Sequence, residues 1–238
     1  MDSEVAPGGA FDVVLSSGFL AFGRHIGFLR AVDEIGIPVT GVCGTSSGAL
    51  AGALWAAGVS TEQMTKVFHV PRPITKLRVS RTPWRGLFSL GPMVEQLEHL
   101  LPGRLEDFSQ PFGVGVTNHE GQHVLLTKGP TIPSLLASCA VPLMMESVRI
   151  GDENYRDGGV VDRVGLEAWR AHRGDIPVCV HLVERSMGPP SLDLSPSPHT
   201  RVVTSPRSRA KLWSLGPYHH QIEESFNLAI TTLKTRAT

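Results

Sequence analysis

The 238-residue chain carries 22 Lys+Arg against 22 Asp+Glu, with 41% hydrophobic and 18% charged residues. That length and apolar content fit a globular chain with a sizeable core and argue against disorder. The balanced charge provides no global field to draw in nucleic acid or an anionic surface, so an electrostatic partner must be met by local patches.

Residues 11–15 read as a short strand, stopped by Ser16-Ser17-Gly18. Ile26, Leu29, Ala31, Val32 and Ile35 recur at helical spacing and predict a helix that Gly36 ends. Residues 39–43 are a second apolar run, too short and too β-branched for a helix. Residues 46–57 then read as a small-residue helix closed by Gly58. Strand, helix, strand, helix predicts an α/β fold with a parallel sheet.

Helices are expected at 61–68 and 93–101, a strand through Phe112, Val114 and Val116, and a turn at 118–121 leading into a strand at 123–126. A short helix is expected at 133–140, a β-like pair at 148–150 and 153–156, and a buried strand at 176–183. Five prolines and several serines between 187 and 209 predict a loop. The stripe Ile222, Phe226, Ile230 and Leu233 predicts a final helix over 221–235. No repeat or composition shift divides the chain, so one domain is expected over 1–238.

Met1-Asp2-Ser3-Glu4 lacks the basic and apolar segments of a secretory leader, and no run approaches about 20 apolar residues. Cys43, Cys139 and Cys179 sit among small or apolar neighbours and read as reduced core thiols. A cytoplasmic protein is expected.

Gly44-Thr45-Ser46-Ser47-Gly48 follows an apolar strand and opens a helix. A serine held on so sharp a turn needs glycine two residues to either side, where a side chain would collide with the turn. The helix start also aims free N–H groups and a positive dipole end at the serine. A serine that merely caps the helix would look the same in isolation. A nucleophilic serine needs a proton acceptor. Asp157, in Arg156-Asp157-Gly158-Gly159 after the β-like pair, is a candidate, although an isolated Asp-Gly reads as a turn.

Together these motifs resemble the patatin-like phospholipases, which use a Ser–Asp dyad. Ser46 matches the family's nucleophile and Asp157-Gly158-Gly159 its Asp-Gly-Gly/Ala motif. Ala137-Ser138-Cys139-Ala140-Val141-Pro142 resembles its Ala-Ser-x-Ala-x-Pro block, and His25-Ile26-Gly27-Phe28-Leu29 its helix after the oxyanion loop. The blocks span about residues 12–165. The resemblance implies a three-layer α/β/α sandwich of patatin type with a mainly parallel central sheet. It implies a serine lipid acyl hydrolase that cleaves carboxylic esters of phospholipids or related acyl lipids through an acyl-enzyme. It implies neither metal nor cofactor. Ser46 and Asp157 would be catalytic; Gly44, Thr45, Ser47 and Gly48 would form the elbow; Gly158 and Gly159 would allow close approach at the dyad.

The chain departs from the family in its loop before the first helix. Where relatives carry Gly-Gly-Gly-x-Arg/Lys-Gly, it has Ser17-Gly18-Phe19-Leu20-Ala21-Phe22, with Arg24 three positions beyond the missing basic residue. The backbone N–H groups of Gly18 and Phe19 are the expected oxyanion donors. Two alternatives stay open. His172, His181, His199, His219 and His220 all follow Asp157, as the order of a Ser-His-Asp esterase would require. The altered loop also fits a weakly active or inactive relative that binds lipid or protein.

From 63 to 94 there is no acid, while Lys66, Arg72, Lys76, Arg78, Arg81 and Arg85 alternate with apolar residues including Trp84. A second acid-free stretch carries Arg201, Arg207, Arg209 and Lys211 with Trp213. Stretches 66–85 and 201–211 predict peripheral contact with a membrane or micelle surface. No motif of nucleic-acid recognition accompanies them.

Overall fold

The structure, a computed structural model, describes residues 9–79, 87–89, 92, 94, 96–185 and 199–234. Its strands are β1 (Phe11–Leu15), β2 (Val39–Thr45), β3 (Arg78–Val79), β4 (Phe88–Ser89), β5 (Phe112–Thr117), β6 (His123–Leu126), β7 (Val148–Ile150), β8 (Glu153–Asp157), β9 (Val178–Val183) and β10 (Thr200–Ser205). Its helices are α1 (Phe22–Ile35), α2 (Ser47–Ala56), α3 (Thr61–Phe68), α4 (Thr131–Ser138), α5 (Leu166–Arg173) and α6 (Tyr218–Lys234). The main sheet runs β10-β9-β1-β2-β5-β8-β7, with β6 also paired to β5, while β3 and β4 form a separate ribbon. From β10 to β5 all pairs are parallel; β6 and β8 run antiparallel to β5, and β7 antiparallel to β8.

The side-chain alternation of each central strand explains the layers. Val13 and Leu15 of β1 join Ile26, Leu50, Leu135 and Ile222 in the larger core, under α1, α2, α4 and α6. Val14 points the other way, and with Cys43, Val178 and Val180 it packs on Leu166 and Trp169 of α5. Asp12 shares that second face and is fully buried, which its partners compensate. Arg173 Nε donates to it at 2.8 Å, Trp169 Nε1 at 3.0 Å and the Thr40 hydroxyl at 2.8 Å. The result is helix, sheet, helix.

Most expected elements form, with differences at the edges. The loop expected over 187–209 contains β10, so that part is corrected. Arg201-Val202-Val203-Thr204 is β-branched enough to pair in parallel with all of β9, from Thr200 against Val178 to Ser205 against Val183. Residues 186–198 of the same expected loop lie outside the described residues. Helix α5 was not foreseen: its apolar stripe is only Leu166 and Trp169, and the rest of its eight residues are mostly polar. The helix expected over 93–101 falls partly outside the described residues, and Glu98–Leu100 form a 3-10 turn. Helix α4 begins before Pro133, whose missing N–H is harmless in a first turn. The final helix spans Tyr218–Lys234 where 221–235 was expected, and residue 235 lies outside the described set. Cys43, Cys139 and Cys179 are buried free thiols. Among the described residues no helix is long and apolar enough to cross a membrane.

Helices α1 and α6 pack face to face, held by polar ties around an apolar seam. Arg24 is fully buried and reaches Glu224 at 2.6 Å; Arg30 grips Glu223 with both terminal nitrogens at 2.7 Å and lies 3.9 Å above the Phe226 ring. Gly27 permits this approach. A Cβ there would run into the Ile222 carbonyl oxygen and lie 2.9 Å from the Phe226 nitrogen. Gly→Ala on an open helix would stabilise by about 1 kcal/mol. In this seam it overpacks backbone against backbone, so Gly27→Ala is expected to destabilise by about 1–3 kcal/mol, read as a lower urea midpoint at unchanged m-value.

Candidate active site

Ser46 stands between β2 and α2 with φ 55° and ψ −121°, a left-handed conformation that ordinary residues avoid. Two glycines make room for it. A Cβ on Gly44 would sit 2.5 Å from the Gly48 carbonyl carbon, and one on Gly48 would penetrate the Leu15 and Ser16 carbonyls at the end of β1. The Ser46 N–H donates to the Ser138 hydroxyl at 2.8 Å, and that hydroxyl donates to the Gly115 carbonyl at 2.7 Å. Ser138 thus staples the strained turn to β5 and satisfies a backbone donor.

Asp157 ends β8. Its Oδ2 accepts from the Ser46 hydroxyl at 2.8 Å, and its Oδ1 accepts from the Gly159 N–H at 2.8 Å. The Asp157 backbone is fixed too, by N–H donation to Ala140 O at 3.1 Å and by the Thr117 hydroxyl on its carbonyl at 3.0 Å. Gly158 lies so close to β5 that a Cβ would sit 2.6 Å from the Gly115 oxygen. Burial raises the Asp157 carboxyl to about pKa 6, with the Ser46 and Gly159 hydrogen bonds pulling partly the other way. The carboxylate is therefore a far better proton acceptor than an exposed aspartate. Beside the Ser46–Asp157 pair, burial and the Asp157 charge push the Cys139 thiol well up, so it stays protonated.

Ser46 and Asp157 open into a cavity of about 330 Å³, whose walls include Gly18, Phe19, Leu50, Leu77, Val141 and Met144. A mainly apolar cavity of about 480 Å³ shares Leu20, Phe22 and Pro73 with it and continues along Val67, Phe68 and Leu97. No histidine lines the first cavity among the described residues. His181 is fully buried, His172 lies beside the Trp169 ring, His199 sits just before β10, and His219 and His220 lie in the first turn of α6. Among the described residues no cluster of three or more His, Cys, Asp or Glu side chains could hold a metal ion.

The expected oxyanion residues, Gly18 and Phe19, share the cavity wall with Ser46. Among the described residues nothing accepts from either N–H. The preceding N–H, on Ser17, is taken by the Arg163 carbonyl at 2.7 Å. Arg24 does not replace the missing basic residue, because it turns into the α1–α6 seam.

A buried polar chain runs away from the elbow. The Ser47 hydroxyl donates to the Gly18 carbonyl at 2.7 Å and meets His25 Nε2 at 3.4 Å. His25 Nδ1 and His181 Nδ1 are 2.9 Å apart, and His181 Nε2 meets the Ser205 hydroxyl at 2.9 Å. Ser225 continues the chain at 2.8 Å and donates to the Arg24 carbonyl. Burial holds His25 down at about pKa 3 and His181 well below the usual range, so both rings are neutral. Two neutral imidazoles share one proton across their Nδ1 contact, so the pair is hydrogen-bonded without charge. Ser138, Arg163 and the His25–His181 pair carry structural roles at the site that periodicity and spacing do not announce.

The model of the patatin-like phospholipase family matches residues 13–168. An NTE family protein of Mycobacterium tuberculosis is 23% identical over 184 residues, covering 74% of this chain and 50% of the relative. The neuropathy target esterase sws of Drosophila melanogaster is 48% identical over 50 residues, 21% of this chain and 4% of that protein. The chain thus spans about half the length of the mycobacterial relative. Among solved structures, VipD from Legionella pneumophila superposes with a TM-score of 0.62 at 11% identity, covering 98% of this chain and 68% of its own. The type III effector ExoU gives 0.54 at 13% identity, covering 98% and 54%. These structural likenesses concern the fold: a mixed α/β architecture with a central sheet flanked by helices.

The neutral histidines set a pH dependence. Their folded pKa lies below the unfolded value of 6.5, so the unfolded chain binds more protons as pH falls below that point. Asp157 works oppositely between about 6 and 3.8, where the folded chain binds the extra proton, and offsets only part of this. Stability is expected to be highest above pH 6.5 and to fall steadily toward pH 4, checked by urea unfolding across that range.

Proposed function

Since the chain belongs to the patatin-like phospholipase family, we propose that it is a serine lipid acyl hydrolase working through Ser46 and Asp157. The observation that carries this reading is the 2.8 Å hydrogen bond from the Ser46 hydroxyl to a buried carboxylate whose pKa is raised to about 6. Asp157 takes the hydroxyl proton as Ser46 Oγ attacks an ester carbonyl. The carbonyl oxygen, now an alkoxide, is held by the N–H groups of Gly18 and Phe19. Collapse of the tetrahedral adduct expels the alcohol, which receives the proton from Asp157 and leaves an acyl-Ser46. Water attacks that ester, gives its proton to Asp157, and the fatty acid departs as the proton returns to Ser46. The absence of histidine from the lining of the cavity, among the described residues, favours the dyad over a Ser-His-Asp esterase. The two adjoining, mainly apolar cavities suit acyl chains.

The substrate would be met at a lipid surface. Phe19 and Val160 are exposed and also line the catalytic cavity. Val160, Val161, Leu87 and Leu143 share the neighbouring depression with Arg149 and Arg156, and Leu143 is 88% exposed. The basic stretches expected to make this contact are partly described. Arg72 and Arg78 are exposed, as are Arg207, Arg209 and Lys211, and Trp213 is exposed beside Lys211. Arg201 instead lies on β10 and donates to the Leu233 carbonyl. Arg81, Trp84 and Arg85 lie outside the described residues. Apolar side chains around a mouth flanked by cations fit a phospholipid interface.

Two outcomes test this reading. On a soluble p-nitrophenyl ester, kcat/KM should lose activity on an acid limb near pH 6, because only the ionised Asp157 accepts the proton. Ser46→Ala and Asp157→Asn should each abolish turnover, and Ser46→Ala should abolish fluorophosphonate labelling; labelling that persists in Ser46→Ala would defeat the assignment. Separately, anionic phospholipid vesicles should pellet the protein at low salt better than neutral ones. Leu143→Glu should weaken pelleting while soluble-ester turnover stays at the wild-type rate.

A further inference from the structure

A loop without the glycines of its relatives must be held by other means. Residues 16–21 join β1 to α1, and Leu20 within them has φ 49°, a left-handed value that a leucine adopts only under constraint. The constraint is visible as polar ties. Arg163, itself only 8% exposed in the cavity wall, donates from Nη2 to the Ser17 carbonyl at 2.8 Å and to the Val183 carbonyl at 2.6 Å. Its Nε reaches the Ser17 hydroxyl at 3.3 Å, and its carbonyl accepts the Ser17 N–H at 2.7 Å. One residue along, the Ser47 hydroxyl holds the Gly18 carbonyl at 2.7 Å, backed by His25. The Ser208 hydroxyl holds the Leu20 carbonyl at 3.2 Å.

The identity of the gripped atoms matters. In a trans peptide the C=O and the following N–H point in opposite directions. Fixing the Ser17 carbonyl therefore fixes the Gly18 N–H, turned away from Arg163. Fixing the Gly18 carbonyl fixes the Phe19 N–H, turned away from Ser47. Neither of these N–H groups has an acceptor among the described residues, and both residues line the cavity with Ser46. We propose that Arg163 and Ser47 are positioning residues that lock the Ser17–Gly18 and Gly18–Phe19 peptide planes, so that their free N–H groups form the oxyanion hole. In this chain side-chain clamps do what a run of loop glycines would do by conformational freedom. The guanidinium adds a second effect. It holds a fixed positive charge against the loop, strong enough to help depress the buried His25, and a developing alkoxide feels the same field.

The inference rests on the proposed Ser46–Asp157 chemistry, and its test separates the two. Arg163→Lys, Arg163→Ala and Ser47→Ala are assayed beside wild type on p-nitrophenyl butyrate. A lysine ammonium cannot span the Ser17 and Val183 carbonyls and the Ser17 hydroxyl together. For Arg163→Ala and Ser47→Ala, kcat is expected to fall by about 100-fold, while KM stays within about twofold. Arg163→Lys should lie between them and wild type. The acid limb near pH 6 should stay in place, since Asp157 is untouched. Millimolar guanidinium should restore part of the kcat of Arg163→Ala. A merely structural role would shift KM and the acid limb along with kcat. Folded Arg163→Lys and Arg163→Ala with wild-type kcat would overturn the proposal. If the Arg163 variants do not fold, Ser47→Ala decides, because it removes one hydroxyl and no volume; full kcat there overturns it. Wild type that neither hydrolyses esters nor takes a fluorophosphonate on Ser46 removes the underlying chemistry, and this inference with it.

Discussion

Backbone touching backbone is the constraint from which the site follows. Gly48 of α2 rests against the Leu15 and Ser16 carbonyls, Gly44 against the Gly48 carbonyl, and Gly158 against the Gly115 carbonyl. A methyl group at any of these places would hold apart the elements that carry Ser46, Asp157 and the loop at 16–21. The contacts also tie the parallel half of the sheet to its antiparallel half across β5. Ser46 hangs from one half and Asp157 from the other. The hydrogen bond between them measures how closely the two halves meet.

The charges are arranged around that junction with opposite aims. Where structure is at stake they are compensated: Asp12 by Arg173 and Trp169, Arg24 by Glu224, and the two histidines by remaining neutral. Asp157 is the exception. It is buried with a hydroxyl and one N–H for partners, and its proton affinity rises accordingly. A carboxylate satisfied by an arginine would be held down instead. The same burial that costs stability at neutral pH makes the carboxylate a stronger proton acceptor.

How much could be read from residues alone varied with the physics of each element. Strands β1, β2 and β5 and helices α1 and α2 announce themselves, since they are buried and their patterns are nearly pure. Asp157 could be singled out because its two following glycines are costly unless something approaches them. β10 was hidden by the prolines around it, and only its register against β9 reveals it. α5 hides because a helix docked through one tryptophan and one buried salt bridge of its own needs almost no apolar stripe. Arg163 could not be recognised, since what it does depends on a carbonyl 146 residues earlier. Side-chain clamps on backbone atoms leave no periodicity.

The separation in sequence between the parts of the site has a temporal meaning. Ser46 and its acceptor lie 111 residues apart, and the polar chain behind Ser47 ends on Ser225 of the last helix, which bonds back to Arg24 across 201 residues. A growing chain contains the serine 111 residues before the carboxylate that accepts its hydrogen bond. The centre is complete only when contacts that span most of the chain have formed. The last helix supplies the far end of the polar chain behind the elbow.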